Sequence, residues 1–172
     1  MPGGSGKQFT LLPADYTGID FENSVQETAE RSLNFYEYFY AGSGVAVGDV
    51  NNDGLPDVFF TGNDVPNRLY INKGDFKFED ISKKAGIQSA NWGQGVSMVD
   101  INKDGWLDIY VCNSGPAANP NAMRNELYVN NGNNTFTEQA AKYGIDDNSR
   151  SMQATFFDMD QDGDLDLVIK VL

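Results

Sequence analysis

Short runs of apolar, β-branched and aromatic residues recur along the chain, separated by stretches rich in Gly, Asn and Asp. Residues 44–48 (GVAVG), 57–61 (DVFFT), 69–71 (LYI) and 76–81 (FKFEDI) are short, and the last alternates apolar with polar positions. That length and pattern predict four β-strands joined by tight turns. The run 82–86 (SKKAG) predicts one helical turn ended by Gly86, and Gly144 holds the same place further on. Upstream the pattern is less regular. Residues 9–19 (FTLLPADYTGI) resemble FEDISKKAGI at 78–87 with one residue inserted, which predicts a lone outermost strand. Residues 24–40 read as a short helix, with Ser24 and Glu27 as a capping box, leading through the Tyr/Phe run at 36–40 into a strand.

The same pattern returns further along the chain. GVAVGDV from Gly44 recurs as GVSMVDI from Gly95 and, more loosely, as QATFFDM from Gln153. Each copy runs into an acidic loop beginning at 49, 100 or 158, so the period is 51 and then 58 residues. LYIN at 69–72 matches LYVN at 127–130, and FEDISKKAGI matches FTEQAAKYGI from Phe136. The longer second period comes from one loop, 113–126 (NSGPAANPNAMRNE), against 62–68 (GNDVPNR) in the first copy. Length change confined to a Pro/Gly/Asn-rich loop is what a repeat scaffold tolerates. Four strands in about 50 residues is the size of one propeller blade. The chain thus divides into a linker-like or tag-like leader at 1–8 and an outer strand and lead-in at 9–43. Repeat one at 44–94, repeat two at 95–150 and a truncated repeat three at 151–172 follow. The expected fold is all-β, about two and a half four-stranded antiparallel blades, as an open arc or a fragment of a larger ring.

The acidic loops carry the chemistry. They read DVNNDGLPD, DINKDGWLD and DMDQDGDLD. In a D-x-[DN]-x-D-G-x-x-D pattern the side chains at positions 1, 3 and 5 curl inward, glycine at 6 permits a sharp turn, the carbonyl at 7 points in and the acid at 9 closes the shell. The candidate ligands are Asp49, Asn51, Asp53, Leu55 and Asp57 in loop one, and Asp100, Asn102, Asp104, Trp106 and Asp108 in loop two. Loop three offers Asp158, Asp160, Asp162, Asp164 and Asp166. Calcium takes about six to eight hard oxygens near 2.4 Å, and such a loop can gather them. An EF-hand would need Glu at position 12 and flanking helices; position 12 is Phe60, Val111 or Ile169, and the flanks are strands. Plain Asn-Asp-Gly turns would have no use for further acids at positions 1 and 9, which repel one another without a cation. Up to three calcium ions are expected, with loop three, the richest in carboxylates, the tightest.

Composition narrows the rest. Asp and Glu total 25 against 12 Lys and Arg, for a net charge of −13. That balance disfavours nucleic acid and anionic membranes as partners, and much of it is accounted for by the loops. Histidine is absent, which removes the commonest general base and transition-metal ligand. The single cysteine, Cys112, ends an apolar run and reads as a buried, inert thiol. No stretch has the length of a membrane-spanning helix. MPGGSGK superficially matches a phosphate-binding loop, but Met1 stands where glycine is needed and Gln8 where Ser or Thr is needed.

The run GVAVGDVNNDGLPDVFF followed by N-x-L-Y-x-N-x-G resembles the FG-GAP/VCBS repeat over residues 9–172. The N-terminal and first-repeat segments are most similar to cartilage-acidic-protein-like and ASPIC/UnbV-type bacterial surface proteins. The resemblance implies propeller blades whose inner strands are joined by calcium loops, and a role in adhesion or ligand binding. The literal Phe-Gly and Gly-Ala-Pro signatures are degraded, so an integrin-like ligand face does not carry over.

The leading expectation is therefore a non-catalytic, calcium-stabilised module, secreted, periplasmic or at the cell surface, contacting protein or glycan. Calcium affinities of about 10⁻⁴ to 10⁻³ M serve outside the cell and not in the cytosol. Two alternatives stand beside it: the propeller part of a calcium-dependent polysaccharide-active enzyme, and a module that self-associates through open sheet edges. Trp92 and Trp106 are left open between sugar stacking and packing, Tyr128 reads as core, and Asn133-Asn134-Thr135 is a formal glycosylation sequon.

Overall fold

The computed structural model describes residues 9–29, 32–34, 36–115 and 120–172. The leader at 1–8 and parts of the 113–126 loop and of the 24–40 segment lie outside them. The fold is all-β. Strands β1 (Val45–Gly48), β2 (Asp57–Phe60), β3 (Arg68–Asn72) and β4 (Phe78–Asp80) form an antiparallel meander in chain order. Strands β5 (Gly93–Val99), β6 (Asp108–Asn113), β7 (Glu126–Asn130) and β8 (Phe136–Glu138) repeat it. Strands β9 (Ser151–Phe157) and β10 (Asp166–Val171) form a two-stranded sheet. The registers are equivalent: Gly48 faces Asp57 in the first sheet, Val99 faces Asp108 in the second and Phe157 faces Asp166 in the third. Each acidic loop therefore joins the first two strands of its sheet. Among the described residues no sheet closes into a barrel, and the three are consecutive propeller blades.

Strand alternation assigns the core. In β6 every residue is buried. Ile109 and Val111 face blade one, where they meet Phe59, Leu69, Ile71 and Ile87. Tyr110 and Cys112 point the other way, into a second cluster with Leu127, Val129 and Ala154 that blade three covers. A two-residue period with both faces buried makes the centre of β6 apolar from Ile109 to Cys112. The one-turn helices α2 (Ser82–Ala85) and α3 (Ala140–Tyr143) end in left-handed Gly86 and Gly144 as predicted, and Ala85 and Ala140 dock into the two clusters.

Asparagines hold the meander together. Asn67 and Asn125, one before each third strand, accept the backbone N–H of Gly62 and Asn113 at 2.9 Å. Asn72 and Asn130, at the ends of those strands, accept the N–H of Gly74 and Gly132 and donate to the carbonyls of Pro56 and Leu107. The N-x-L-Y-x-N repeat thus clamps the loop at each end of the third strand, satisfying backbone groups that the ladders leave over.

The N-terminal segment departs from expectation in two places. Residues 9–13 carry no strand, because no described strand lies beside them to form a ladder; what the resemblance to 78–87 carries over is the helical turn α1 (Ala14–Thr17), closed by left-handed Gly18. The expected helix and strand across 24–40 are also absent from the described residues there, which instead form turns at 33–34 and 37–40. Their aromatics supply packing. Tyr36 and Phe39 are buried against Trp92, with ring centroids 5.8 and 5.1 Å away, and the Tyr36 hydroxyl pairs with Ser114 at 2.9 Å. Further upstream, Phe21 stacks on Phe60 at 5.0 Å and Asp20 accepts the Tyr70 hydroxyl at 2.9 Å, covering the outer face of blade one.

Candidate metal centres

The three acidic loops share one backbone. Position 4 is left-handed in each, at φ 56° for Asn52, 59° for Lys103 and 63° for Gln161. The glycine at position 6 is left-handed again, at 85°, 87° and 92° for Gly54, Gly105 and Gly163. Two reversals of hand within three residues wrap the chain about a point, and the second is free only for glycine.

Side chains fasten the wrap in matching ways. Asp49 accepts the N–H of Gly54 at 2.7 Å and of Asp53 at 3.1 Å; Asp100 accepts Gly105 at 2.9 Å and Asp104 at 3.0 Å. Asn51 and Asn102 accept the same Asp53 and Asp104 N–H groups at 3.0 Å. Asp53 and Asp104 in turn accept the N–H of Leu55 and Trp106 at 2.9 Å, which fixes position 7. In loop three Asp158 accepts Gly163, Asp160 accepts Asp162, and Asp162 accepts Asp164, at 3.1, 3.2 and 2.9 Å. Trp106 lies half-buried with its indole against Gly132, where a Cβ would come within 3.2 Å of the ring. Trp92 and Tyr128 are buried, and so are packing residues.

Position 9 does more than its sequence pattern conveyed. Asp57 and Asp108 are wholly buried at the first residue of the second strand. Asp108 accepts the N–H of Ile101 at 3.0 Å and, across the sheet, of Asn130 at 2.7 Å; Asp57 does the same with Val50 and Asn72, at 3.0 and 2.8 Å. Burial pushes both carboxyls above the ordinary range, and these N–H bonds oppose the shift. Each acid ties its loop to the third strand. Asp166 is half-buried and accepts Met159 N–H at 2.8 Å, with no third strand beside β10 to supply a second donor among the described residues.

Asp158, Asp160 and Asp166 bring one carboxylate oxygen each within 4.8 Å of one another. Among the described residues no other acid or cysteine trio gathers so closely; in loops one and two the third corner is Asn51 or Asn102. Asp162 and Asp164 share a hydrogen bond that pushes the Asp164 carboxyl up, whereas the Asp164 N–H holds Asp162 down. The donor set is oxygen alone, with no histidine or thiol, and suits a hard divalent cation. Cys112 sits apart in the core, its thiol pushed up to about 12 by burial.

Comparison with known proteins agrees with this geometry. The FG-GAP-like repeat matches residues 49–111 and 117–169. Cartilage acidic protein 1 of Xenopus tropicalis is 36% identical over 160 residues, 88% of this chain and 23% of that protein. The mouse protein of that name is 32% identical over 130 residues, covering 72% of this chain and 19% of its own length. The chain therefore spans under a quarter of these relatives. With the repeat model matching two stretches that together cover most of the chain and take in all three acidic loops, this chain belongs to the FG-GAP-like repeat family.

Proposed function

We propose that this chain is a non-catalytic repeat module of an extracellular protein, stabilised by calcium in its three acidic loops and presenting its blades for contact with protein or glycan. The observation that carries the reading is the threefold recurrence of one loop backbone. Each copy has reversals at positions 4 and 6 and a closing acid on the second strand. Asp49, Asn51, Asp53 and Asp57 would hold the ion in loop one, Asp100, Asn102, Asp104 and Asp108 in loop two, and Asp158, Asp160, Asp162 and Asp166 in loop three. The carbonyls of Leu55, Trp106 and Asp164 complete the sets. Bound there, calcium supplies charge neutralisation and a cross-link between loop and strand. Without a cation the clustered carboxylates repel one another.

An extracellular setting suits calcium modules of this kind, whose typical affinities of about 10⁻⁴ to 10⁻³ M are sufficient outside cells, and cartilage in the relatives' name points the same way. The clustered acids serve the loop backbone, and the sequence has no histidine to act as a base. Cleavage of uronic-acid polymers in the presence of calcium would overturn the non-catalytic reading.

The test of calcium binding is a melting curve in calcium and in chelator. At a hundredfold excess over its dissociation constant, one site adds about 2.7 kcal/mol, so the midpoint should rise by several degrees or more. An unchanged midpoint would remove the proposal.

A further inference from the structure

We propose that the fourth residue of loops one and two is a strut to the loop of the next blade, so that neighbouring metal sites fill as coupled pairs. The inference rests on the reading of the loops as calcium sites. Asn52, fourth in loop one, donates from Nδ2 to the carbonyl of Gly105, sixth in loop two, at 3.0 Å. Lys103, fourth in loop two, donates from Nζ to the carbonyl of Gly163, sixth in loop three. Two different side chains, an amide and an ammonium, make the same connection between equivalent positions. The bond thus belongs to the repeat and not to one residue pair.

Its placement gives it leverage. Position 4 lies between the ligands at 3 and 5, and its left-handed backbone sets their relative direction. Position 6 lies between the acid at 5 and the carbonyl at 7 in the following loop. Closing one loop on an ion orders the root of the strut, and the ordered strut restrains the turn it touches. The second loop then pays less entropy to close, which is positive coupling without a change of fold. Lys103 also brings a positive charge to the acids of loop three. That charge lowers cation affinity there while the strut raises it. Coupling is therefore the quantity to measure, and affinity alone is not.

Trp106, seventh in loop two, provides the readout: terbium bound in that loop is sensitised by the indole, and calcium competes it away. The experiment uses the full chain in four forms: unaltered, Asp158→Ala/Asp160→Ala to disable loop three, Lys103→Ala, and all three changes together, each checked for fold by circular dichroism. Disabling loop three should weaken calcium at loop two about fivefold or more while Lys103 is present, and should leave it unchanged in the Lys103→Ala background. Lys103→Gln, which keeps a donor without the charge, should retain the coupling. A second pair tests the same rule independently: disabling loop one with Asp49→Ala/Asp53→Ala should weaken loop two, and Asn52→Ala should abolish that effect. Loop-two affinity indifferent to both neighbours would overturn the strut while leaving the calcium reading intact. So would a loss that persists undiminished in Lys103→Ala and Asn52→Ala. Failure of calcium to displace terbium in any form would overturn both.

Discussion

Replacing Asp108 with alanine separates the scaffold role of the closing acid from its proposed metal role. The carboxylate is wholly buried and satisfies two backbone donors, Ile101 N–H and Asn130 N–H. Alanine leaves both unpaired where water cannot reach them, at about 1–3 kcal/mol each. Removing a buried charge whose pKa is raised by desolvation returns part of that, so a net loss of about 2–4 kcal/mol is expected. For a domain of this size that lowers the midpoint by about 2–4 °C per kcal/mol. Asp108→Asn keeps one acceptor oxygen and turns an amide N–H toward the other donor, so it should fall between alanine and wild type. Asp104→Ala is the control: its carboxylate is exposed and its partners, the Trp106 N–H and the Asn102 side-chain amide, can bond to water instead. It should move stability by about 0.5 kcal/mol or less in chelator. Unfolding in urea with chelator present, followed by circular dichroism, excludes any metal contribution. If Asp108→Ala and Asp104→Ala are indistinguishable there, the closing acid is a ligand alone and the scaffold argument is wrong.

Other features give sharper single measurements. Cys112 should resist a thiol-specific disulfide reagent in the native protein at neutral pH and react fully in denaturant, since its thiol is buried and pushed up to about 12. Glu126 accepts from Asn91 and Asn113, at 3.3 and 3.2 Å, and burial raises its carboxyl above the ordinary value of 4.5. The folded state then binds more protons than the unfolded one between those two values. Stability should fall as pH rises from 4.5 through the raised value, and Glu126→Gln should flatten that slope in a melting series. Gly95 has no room for a side chain: a Cβ there would lie 2.4 Å from the Met152 carbonyl. Gly95→Ala should force blades two and three apart and cost roughly 1–3 kcal/mol by thermal melting; a wild-type midpoint would show that the blades separate freely.

The loops and the strand order were legible because both depend on local chemistry repeated in register. A left-handed glycine, acids at positions 1, 5 and 9 and an apolar run after each loop leave one reading of the local fold, and Gly48 opposite Asp57 and Val99 opposite Asp108 bear out the strand order. The N-terminal segment was not legible, for a related reason. Its likeness to 78–87 conveyed the turn and Gly18, which need no partner, but a strand exists only where another strand lies beside it. The aromatic run at 36–40 misled because β-propensity reports fit to a pleated, half-buried surface. Here Tyr36 and Phe39 meet that need by packing on Trp92 from a turn. The asparagines of N-x-L-Y-x-N matched between repeats, yet their clamping role was invisible without the backbone groups they face. The one signal was their identity in both copies at positions flanking a strand.

Ligand count and scaffold pull loop three in opposite directions. Its acids at positions 3 and 7, Asp160 and Asp164, exceed those of the other loops, and the trio of Asp158, Asp160 and Asp166 is already gathered. On charge alone it outranks them. Loops one and two instead carry a closing acid held by two backbone donors, one in the loop and one on the third strand, so the proposed ligand at position 9 is in place before any cation arrives. Asp166 has a single such donor. Preorganisation is worth most where ligands are few, because a three-carboxylate site gains less Coulomb energy to spend on ordering. On the proposed calcium reading, the repeat offers two routes to a site, fewer charges on a firmer frame or more charges on a looser one. Supplying Asp166 with a second backbone donor, as a third strand does for Asp57 and Asp108, would combine both in one loop.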